Sequence, residues 1–445
     1  MKTSTLYFFL FVLTLGKLLL AWFIPAFGDE TYYYIWSQHP QLSYFDHPPM
    51  VSWFIYLGQL MGPAGNSVSL RIVFIFASFV TALIWIQILH LKNFDNSKIL
   101  ICLVLLLLNP LLGVGSILAT PDVPLVLFWS LSYYCYLKIM ELNTRRWYIL
   151  LGLFLGLGFC SKYHIVLFVI SGLIYLFWTK NIFRLHLQGV LLTIFFGAVF
   201  SLPVIIWNAQ NNWASFLFQI QHGFGETSFD WKWPVGYLLA QLLITNPLIF
   251  ILLFKKNSDS MEKIFSLSQL AFFFTSSFKS VVEGNWPLTS HLHSVTHFCS
   301  VANRRLFRYS ILYWLAFYVT IGLFFILPVT RQISEAVKKN LVNISQLTEL
   351  LAITEKFQPL YGPSYQVSSL LSWKTQKLIP KLHGLSRHDF YDTLPEATPI
   401  AKIFYVLKYD NSDWPLKYAR YKKIKLQGFD NVGLSLYQFN DESYK

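Results

Sequence analysis

Apolar residues gather along the chain into long runs separated by short polar punctuation. A helix needs about 20 mostly apolar residues to cross the hydrocarbon core of a bilayer. On that measure the pattern predicts spans over 5–26, 68–90, 99–115, 121–139, 147–160, 163–179, 188–206, 233–254, 263–278, 286–302 and 309–328. The run 263–278 carries Lys263 and several serines, and 286–302 carries His291, His293 and His297, so these two are the weakest. Several runs are shorter than a full crossing and are expected to end or bend where neighbouring helices cover the backbone. Residues 5–26 read as a retained first span and not a cleaved signal. Only Lys2 precedes the run, Lys17 interrupts it, and no clear small-residue cleavage site follows.

Beyond residue 328 the pattern changes. Residues 329–445 are polar, with helical spacing over 331–353 and strand patterns at 400–407 (IAKIFYVL) and 432–439 (VGLSLYQF). The expected fold is a polytopic α-helical membrane protein of about eleven transmembrane helices, residues 1–328, followed by a small α/β domain, residues 329–445. No internal repeat and no low-complexity segment interrupts this division.

Composition narrows the class. Hydrophobic residues make up 55% of the 445 and charged residues 13%, against about 25% charged in soluble chains. A mean hydropathy of +0.47 agrees, and a soluble enzyme is excluded. With 18% aromatic residues the chain has far too much buriable surface for disorder. The net charge of +13 does not point to nucleic acid, because the basic residues fall at the ends of apolar runs. With the N-terminus cytoplasmic and eleven spans, the inner loops collect 14 lysines and arginines against four acids. The outer loops before residue 329 carry four basic residues against seven acids. That is a positive-inside distribution, and it puts the C-terminal domain on the extracytoplasmic side of the membrane. Cys102, Cys135, Cys160 and Cys299 lie in or beside apolar runs, which argues against a disulfide framework, and no zinc-type cysteine pair occurs.

The outer acids are the candidates for chemistry, because ionisable groups at a membrane edge are costly without a role. The first outer loop, residues 27–66, is the richest stretch. It opens with Asp29 and Glu30, continues through Tyr32, Tyr33, Tyr34 and Trp36, and closes on Tyr44, Phe45, Asp46, His47, Pro48 and Pro49. The paired prolines fix an extended backbone, after which 51–61 reads as a helix lying in the membrane interface.

An Asp-Glu pair after the first span followed by YFDHPP resembles the GT-C membrane glycosyltransferases. The similar members are the bacterial relatives of dolichyl-phosphate-mannose–protein mannosyltransferases and the lipid A aminoarabinose transferases. The resemblance continues at ATPDVPL (119–125), GLGFCSKYHIVL (156–167), WNAQNNWASFLFQIQHGFG (207–225) and EGNWP (283–287), in family order over roughly residues 5–330. It implies an inverting transfer of a sugar from a polyprenyl-phosphate donor to a lipid, lipid A included, or to another envelope glycan, on the outer face. Membrane lipids are the other expected partners. Asp29 would be the catalytic carboxylate. It would act as general base on a hydroxyl acceptor, or orient the acceptor and stabilise charge where the acceptor is already a phosphate. Asp122 would be a second functional acid, or a cap in the first turn of its helix. Glu30 would act itself or support its neighbour. Lys162, His47 and His222 are the candidates for the donor phosphate, with interfacial anchoring the other reading of Lys162. Tyr33, Tyr44 and Glu283 are candidate substrate contacts.

Asp46-His47 departs from the aminoarabinose transferases, which carry glutamate and lysine there, and this leaves the sugar open. Asp46 and His222 would hold a divalent metal cation or form an Asp–His pair without one. Of the three nearby histidines, only His293 and His297 share a helix face. A transporter would need ionisable groups at mid-span and symmetric halves, and Lys17 is the one mid-span charge. An assembly factor would use the outer acids only as helix caps.

Overall fold

The computed structural model describes residues 2–63, 65–225, 229–255, 260–326, 347–399, 401–430 and 433–441. Internal packing divides the chain into two compact units: 1–24, 41–58 and 71–320 form one, and 25–40, 59–70 and 321–445 the other.

Every apolar run predicted to span coincides with helix. In order the described helices of this stretch are α1 (Thr3–Phe23), α2 (Gly28–Gln38), α3 (Met50–Leu60), α4 (Ser67–Leu91), α5 (Asn96–Leu108), α6 (Asp122–Leu142), α7 (Arg145–Phe159), α8 (Val166–Trp178), α9 (Leu187–Gln210), α10 (Ala214–Phe224), α11 (Lys232–Thr245), α12 (Pro247–Leu252), α13 (Ser260–Ser276), α14 (Leu288–Val301) and α15 (Arg304–Ile326), of which α2, α3 and α10 fall outside the predicted spans. Five of the described helices, α1, α4, α6, α9 and α15, are long and apolar enough to cross a membrane. The short helix expected over 51–61 is α3.

Two runs differ from expectation for local reasons. The run 99–115 stops at Leu108, because the Asn109 amide oxygen takes the free N–H groups of Leu111 and Leu112 at 3.1 and 3.2 Å and starts a turn. The run 233–254 is broken. Asn246 has a φ of +81° and Pro247 follows it, so α11 ends there and α12 begins under a cap from the Asn246 side chain to Leu248 N–H.

Close approach within the first unit is bought with glycine. A Cβ on Gly152 would lie 2.4 Å from the Thr193 carbonyl oxygen, and one on Gly156 would lie 2.6 Å from Phe200 Cβ. The G-x-x-x-G spacing on α7 thus lets α9 lie directly against it. A buried network joins α6, α13 and α14. Glu262 accepts from Tyr133 OH at 2.7 Å, from Lys92 Nζ at 2.9 Å and from His293 Nδ1 at 2.7 Å. Trp129 Nε1 donates to His293 Nε2 at 2.9 Å, which puts the imidazole proton on Nδ1.

The second unit joins the α2 segment to the C-terminal residues. After α16 (Leu347–Lys356) come β1 (Leu360–Tyr361), α17 (Tyr365–Thr375), β2 (Ile403–Tyr409), β3 (Tyr421–Phe429) and β4 (Leu434–Asp441). The sheet order is β1-β2-β4-β3, with β1 parallel to β2 and the other pairs antiparallel. The expected strands 400–407 and 432–439 are β2 and β4, each shifted by two or three residues. Of the helix expected over 331–353, residues 331–346 lie outside the described residues and the remainder opens α16.

The aromatic run of the first outer loop belongs to this core. Tyr32 packs on Tyr365 and Tyr391 at 4.4 and 6.1 Å, and its hydroxyl accepts from Phe390 N–H at 2.9 Å. Tyr34 meets Trp373 edge-on at 4.6 Å, and Trp36 meets Phe390 at 6.1 Å. At the start of α2 a Cβ on Gly28 would lie 3.2 Å from Gln366 Cβ, so α2 rests closely on α17.

Candidate active site

Three of the resembling blocks converge in the first unit. ATPDVPL places Asp122 at the first position of α6, directly after Pro121. GFCSK ends α7, and Lys162 emerges from it in extended conformation with its N–H bonded to the Gly158 carbonyl at 2.9 Å. A Cβ on Gly158 would lie 2.7 Å from Ile165, so the tight exit depends on that glycine. EGNWP forms the turn before α14. Lys162 Nζ lies 2.7 Å from Asp122 Oδ1, and Asn285 Nδ2 donates to Asp122 Oδ2 at 2.7 Å. Both carboxylate oxygens are therefore engaged. The side chains retain 8% exposure at Lys162 and 14% at Asp122, so the pair is sheltered without being sealed.

This pairing bears on two expectations together. Asp122 lies in the first turn of α6, where its charge complements the helix dipole, and it also holds the cation of Lys162. Lys162 does not reach outward to anchor at the interface, since its ammonium is committed to Asp122. A cation held on a carboxylate that keeps some exposure, with an amide beside it, can exchange a partner for an incoming phosphate oxygen at small geometric cost.

Around this group the histidines and aromatics are ordered by EGNWP and α10. Trp286 lies 5.4 Å from the His222 ring and 6.0 Å from His164. Phe218 stacks on His222 at 5.7 Å and meets Phe45 at 4.8 Å. Gln219 Nε2 donates to the Asp46 carbonyl oxygen at 2.5 Å. The start of α3 is tied to the lysine turn, because Met50 N–H donates to the Cys160 carbonyl at 2.9 Å. Asp46 is buried and His47 half-buried. Among the described residues no group of three or more histidine, cysteine or acidic side chains could hold a metal ion. Asp46 with His222 would offer two protein donors, fewer than the three of a catalytic zinc site. The histidines of α14 each have separate partners. His291 meets Asn109, Gln241 and Thr245, His293 serves Glu262 and Trp129, and His297 reaches the Leu252 carbonyl.

Tyr44 is a brace. It is fully buried, and its hydroxyl accepts from Gln41 N–H at 3.2 Å and Ser52 Oγ at 3.1 Å. Burial pushes its phenol above the usual range, against the opposing pull of those two bonds, so it stays neutral. Glu283 is exposed; its neighbour Asn285 is the residue of that block that enters the site.

The second unit carries Asp29 and Glu30. Glu30 is buried at the third position of α2, and its Oε2 accepts from Phe27 N–H at 3.0 Å, so it closes the start of the helix. Asp29 is exposed on the same turn. Tyr365 OH approaches Asp29 Oδ1 at 3.4 Å, and the Arg387 guanidinium lies 4.8 Å over the Tyr365 ring. Arg387 is set by a buried buttress. Lys381 Nζ contacts Asp389 at 2.7 Å and Asp392 at 2.5 Å, and bonds the Arg387 carbonyl at 2.7 Å. Tyr33 is packed on Tyr32 and Trp36 at 5.9 and 4.9 Å. Sequence reasoning missed Tyr365 and Arg387, because neither stands in a recognisable block and only the packing of α17 on α2 brings Tyr365 to Asp29.

Comparison with known proteins agrees with this architecture. Residues 46–207 match the family of dolichyl-phosphate-mannose-protein mannosyltransferases. The chain is 23% identical over 285 residues to the lipid A galacturonosyltransferase RgtD of Rhizobium johnstonii, covering 60% of this chain. It spans 58% of that relative's length. The crystal structure of ArnT from Cupriavidus metallidurans bound to undecaprenyl phosphate has the same fold, with a TM-score of 0.68 at 12% identity over 98% of each chain. The apo form of that protein gives 0.66, also over 98% of each chain.

Proposed function

We propose that this chain, which belongs with the GT-C membrane glycosyltransferases related to lipid A-modifying enzymes, moves a sugar from a polyprenyl-phosphate donor to a lipid acceptor. Lipid A is the acceptor favoured by the relationship to RgtD, with other envelope glycans as the wider class. We place the reaction on the outer face of a bacterial inner membrane, with eleven crossings and a cytoplasmic N-terminus, in keeping with the lysine and arginine distribution.

The observation that carries the reading is the Asp122–Lys162–Asn285 constellation, assembled from three separate sequence blocks. In the proposed step an acceptor oxygen attacks C1 of the sugar while the C1–O bond to the lipid phosphate breaks, inverting the anomeric centre. The electron pair leaves with the phosphate, whose growing charge Lys162 neutralises, and Asn285 keeps Asp122 positioned as the lysine shifts. A hydroxyl acceptor loses its proton to a carboxylate, the role given to Asp29; a phosphate acceptor needs no base.

The test is mass spectrometry of envelope lipids from cells with and without the gene, complemented by wild type, Asp29→Asn and Lys162→Gln. A sugar-sized mass increment on one lipid class is expected only with wild type. Full complementation by both variants at equal expression would refute the mechanism, and an unchanged lipid profile on deletion would refute the acceptor class.

A further inference from the structure

Lys17 lies within α1, six residues before its end at Phe23, about 9 Å along the helix. It is buried at 7% exposure. Its ammonium bonds Ser116 Oγ at 2.6 Å and Ser78 Oγ at 3.1 Å. Both hydroxyls spend their own protons on the backbone, Ser116 on the Gly113 carbonyl at 2.7 Å and Ser78 on the Ile75 carbonyl at 2.9 Å. They therefore meet Lys17 as acceptors, and these two contacts use two of its three protons. Among the described residues no carboxylate partners Lys17.

The same ammonium lines a cavity in the first unit whose walls are otherwise mostly apolar, including Trp85, Leu107, Leu111 and Val126. Asp122 also lines it, but its two oxygens are already taken by Lys162 and Asn285. The negative charge in the wall is thus compensated and the positive charge is not. A buried cation without a counter-charge is a standing cost, and any bound anion removes it. The mostly apolar wall selects an anion that arrives on a hydrocarbon chain.

We infer that Lys17, with Ser78 and Ser116 orienting it, is a binding site for a phosphate group borne on a lipid. This deepens the proposed transferase function and rests on it for the identity of the lipid. The shared chemistry is a lipid phosphomonoester, whose source is the polyprenyl carrier or a phosphorylated lipid acceptor.

The test uses full-length protein in nanodiscs, titrated with a polyprenyl monophosphate, the matching polyprenol, phosphatidic acid and inorganic phosphate. Wild type is expected to prefer the polyprenyl phosphate over the alcohol by about tenfold or more. Lys17→Met should bring that preference to about threefold or less, and Lys17→Arg should keep most of it. Without ligand, Lys17→Met should melt at or above the wild-type temperature, since it removes an uncompensated buried charge. Phosphatidic acid bound with the same Lys17 dependence would assign the site to lipid phosphates generally, and its exclusion would assign it to the carrier. The inference is overturned if Lys17→Met keeps the wild-type preference. It is also overturned if Lys17→Met melts lower and loses alcohol and phosphate alike, the behaviour of a structural brace, or if only inorganic phosphate depends on Lys17. Glycolipid formation in the same preparations separates the two levels. Product lost in Asp29→Asn with phosphate preference intact in Lys17→Met sinks the site and leaves the transferase. Lys17-dependent phosphate preference without product from any polyprenyl-phosphate sugar does the reverse.

Discussion

Two ion-paired carboxylates in the helical bundle are solved in opposite ways. Glu262 is enclosed by Tyr133, Lys92 and His293, with Trp129 fixing the imidazole tautomer from behind. Its side chain is 1% exposed. Asp122 has only Lys162 and Asn285, keeps 14% exposure and borders a cavity. Glu262 is almost fully enclosed, whereas Asp122 opens onto a cavity. Burial and pairing alone therefore do not mark a site; an ion pair at the edge of accessible space does.

The largest expected effect tests that distinction at Asp122 and Lys162. Asp122→Asn or Lys162→Gln should lower glycolipid turnover by about 100-fold or more, the scale of removing one preorganised charge. The same variants should also lower the melting temperature, because they leave a sheltered partner without its counter-charge. Single-turnover assays with thermal melts of the purified proteins would read both. A collapse in melting temperature with normal turnover per folded molecule would erase the distinction.

Glu262→Ala should cost stability and spare turnover. Leaving Lys92 buried without its carboxylate costs about 3–5 kcal/mol. Turnover per folded molecule should stay within about threefold of wild type, since no reacting group is touched. Next in size is Gly156→Val, which puts new carbon atoms against Phe200 and the Gly197 carbonyl, 2.6 and 2.7 Å from the Cβ position. Overpacking of that kind costs about 1–3 kcal/mol and should part α7 from α9. An engineered cysteine pair across the two helices would report the separation as a loss of crosslinking.

The helices were legible in the sequence because burial and lipid contact demand long apolar runs, and every run became helix. The break at Asn246-Pro247 was also written there, in a dipeptide that ends helices, but hydropathy averaging hid it. The strand β3 was hidden for a different reason. Its sequence YKKIKLQGF lies at the edge of the sheet, largely exposed, and has too few apolar positions to show a strand pattern. At the site, residue types gave Asp122 and Lys162 but not their union, because the chain between them, 40 positions in separation, carries no sign of proximity. The aromatic run 32–36 is core, and only the fold reveals it, because α17 covers it.

The smallest effect supplies the control. Lys138 and Glu141 form a pair of the same chemistry on the surface of α6, at 2.7 Å, with 16% and 52% of the side chains exposed. Three residues apart on one helix, they repeat the charges of Asp122 and Lys162 in nearly the same distance, but in water. Glu141→Gln should change stability by about 0.3–0.5 kcal/mol and fade further at high salt. Turnover should be unchanged. If this variant were to slow product formation as Asp122→Asn does, then charge at any position on α6 would matter and the bordering cavity would not. If it leaves turnover alone, the same distance and charges are shown to act only where Asp122 and Lys162 meet open space.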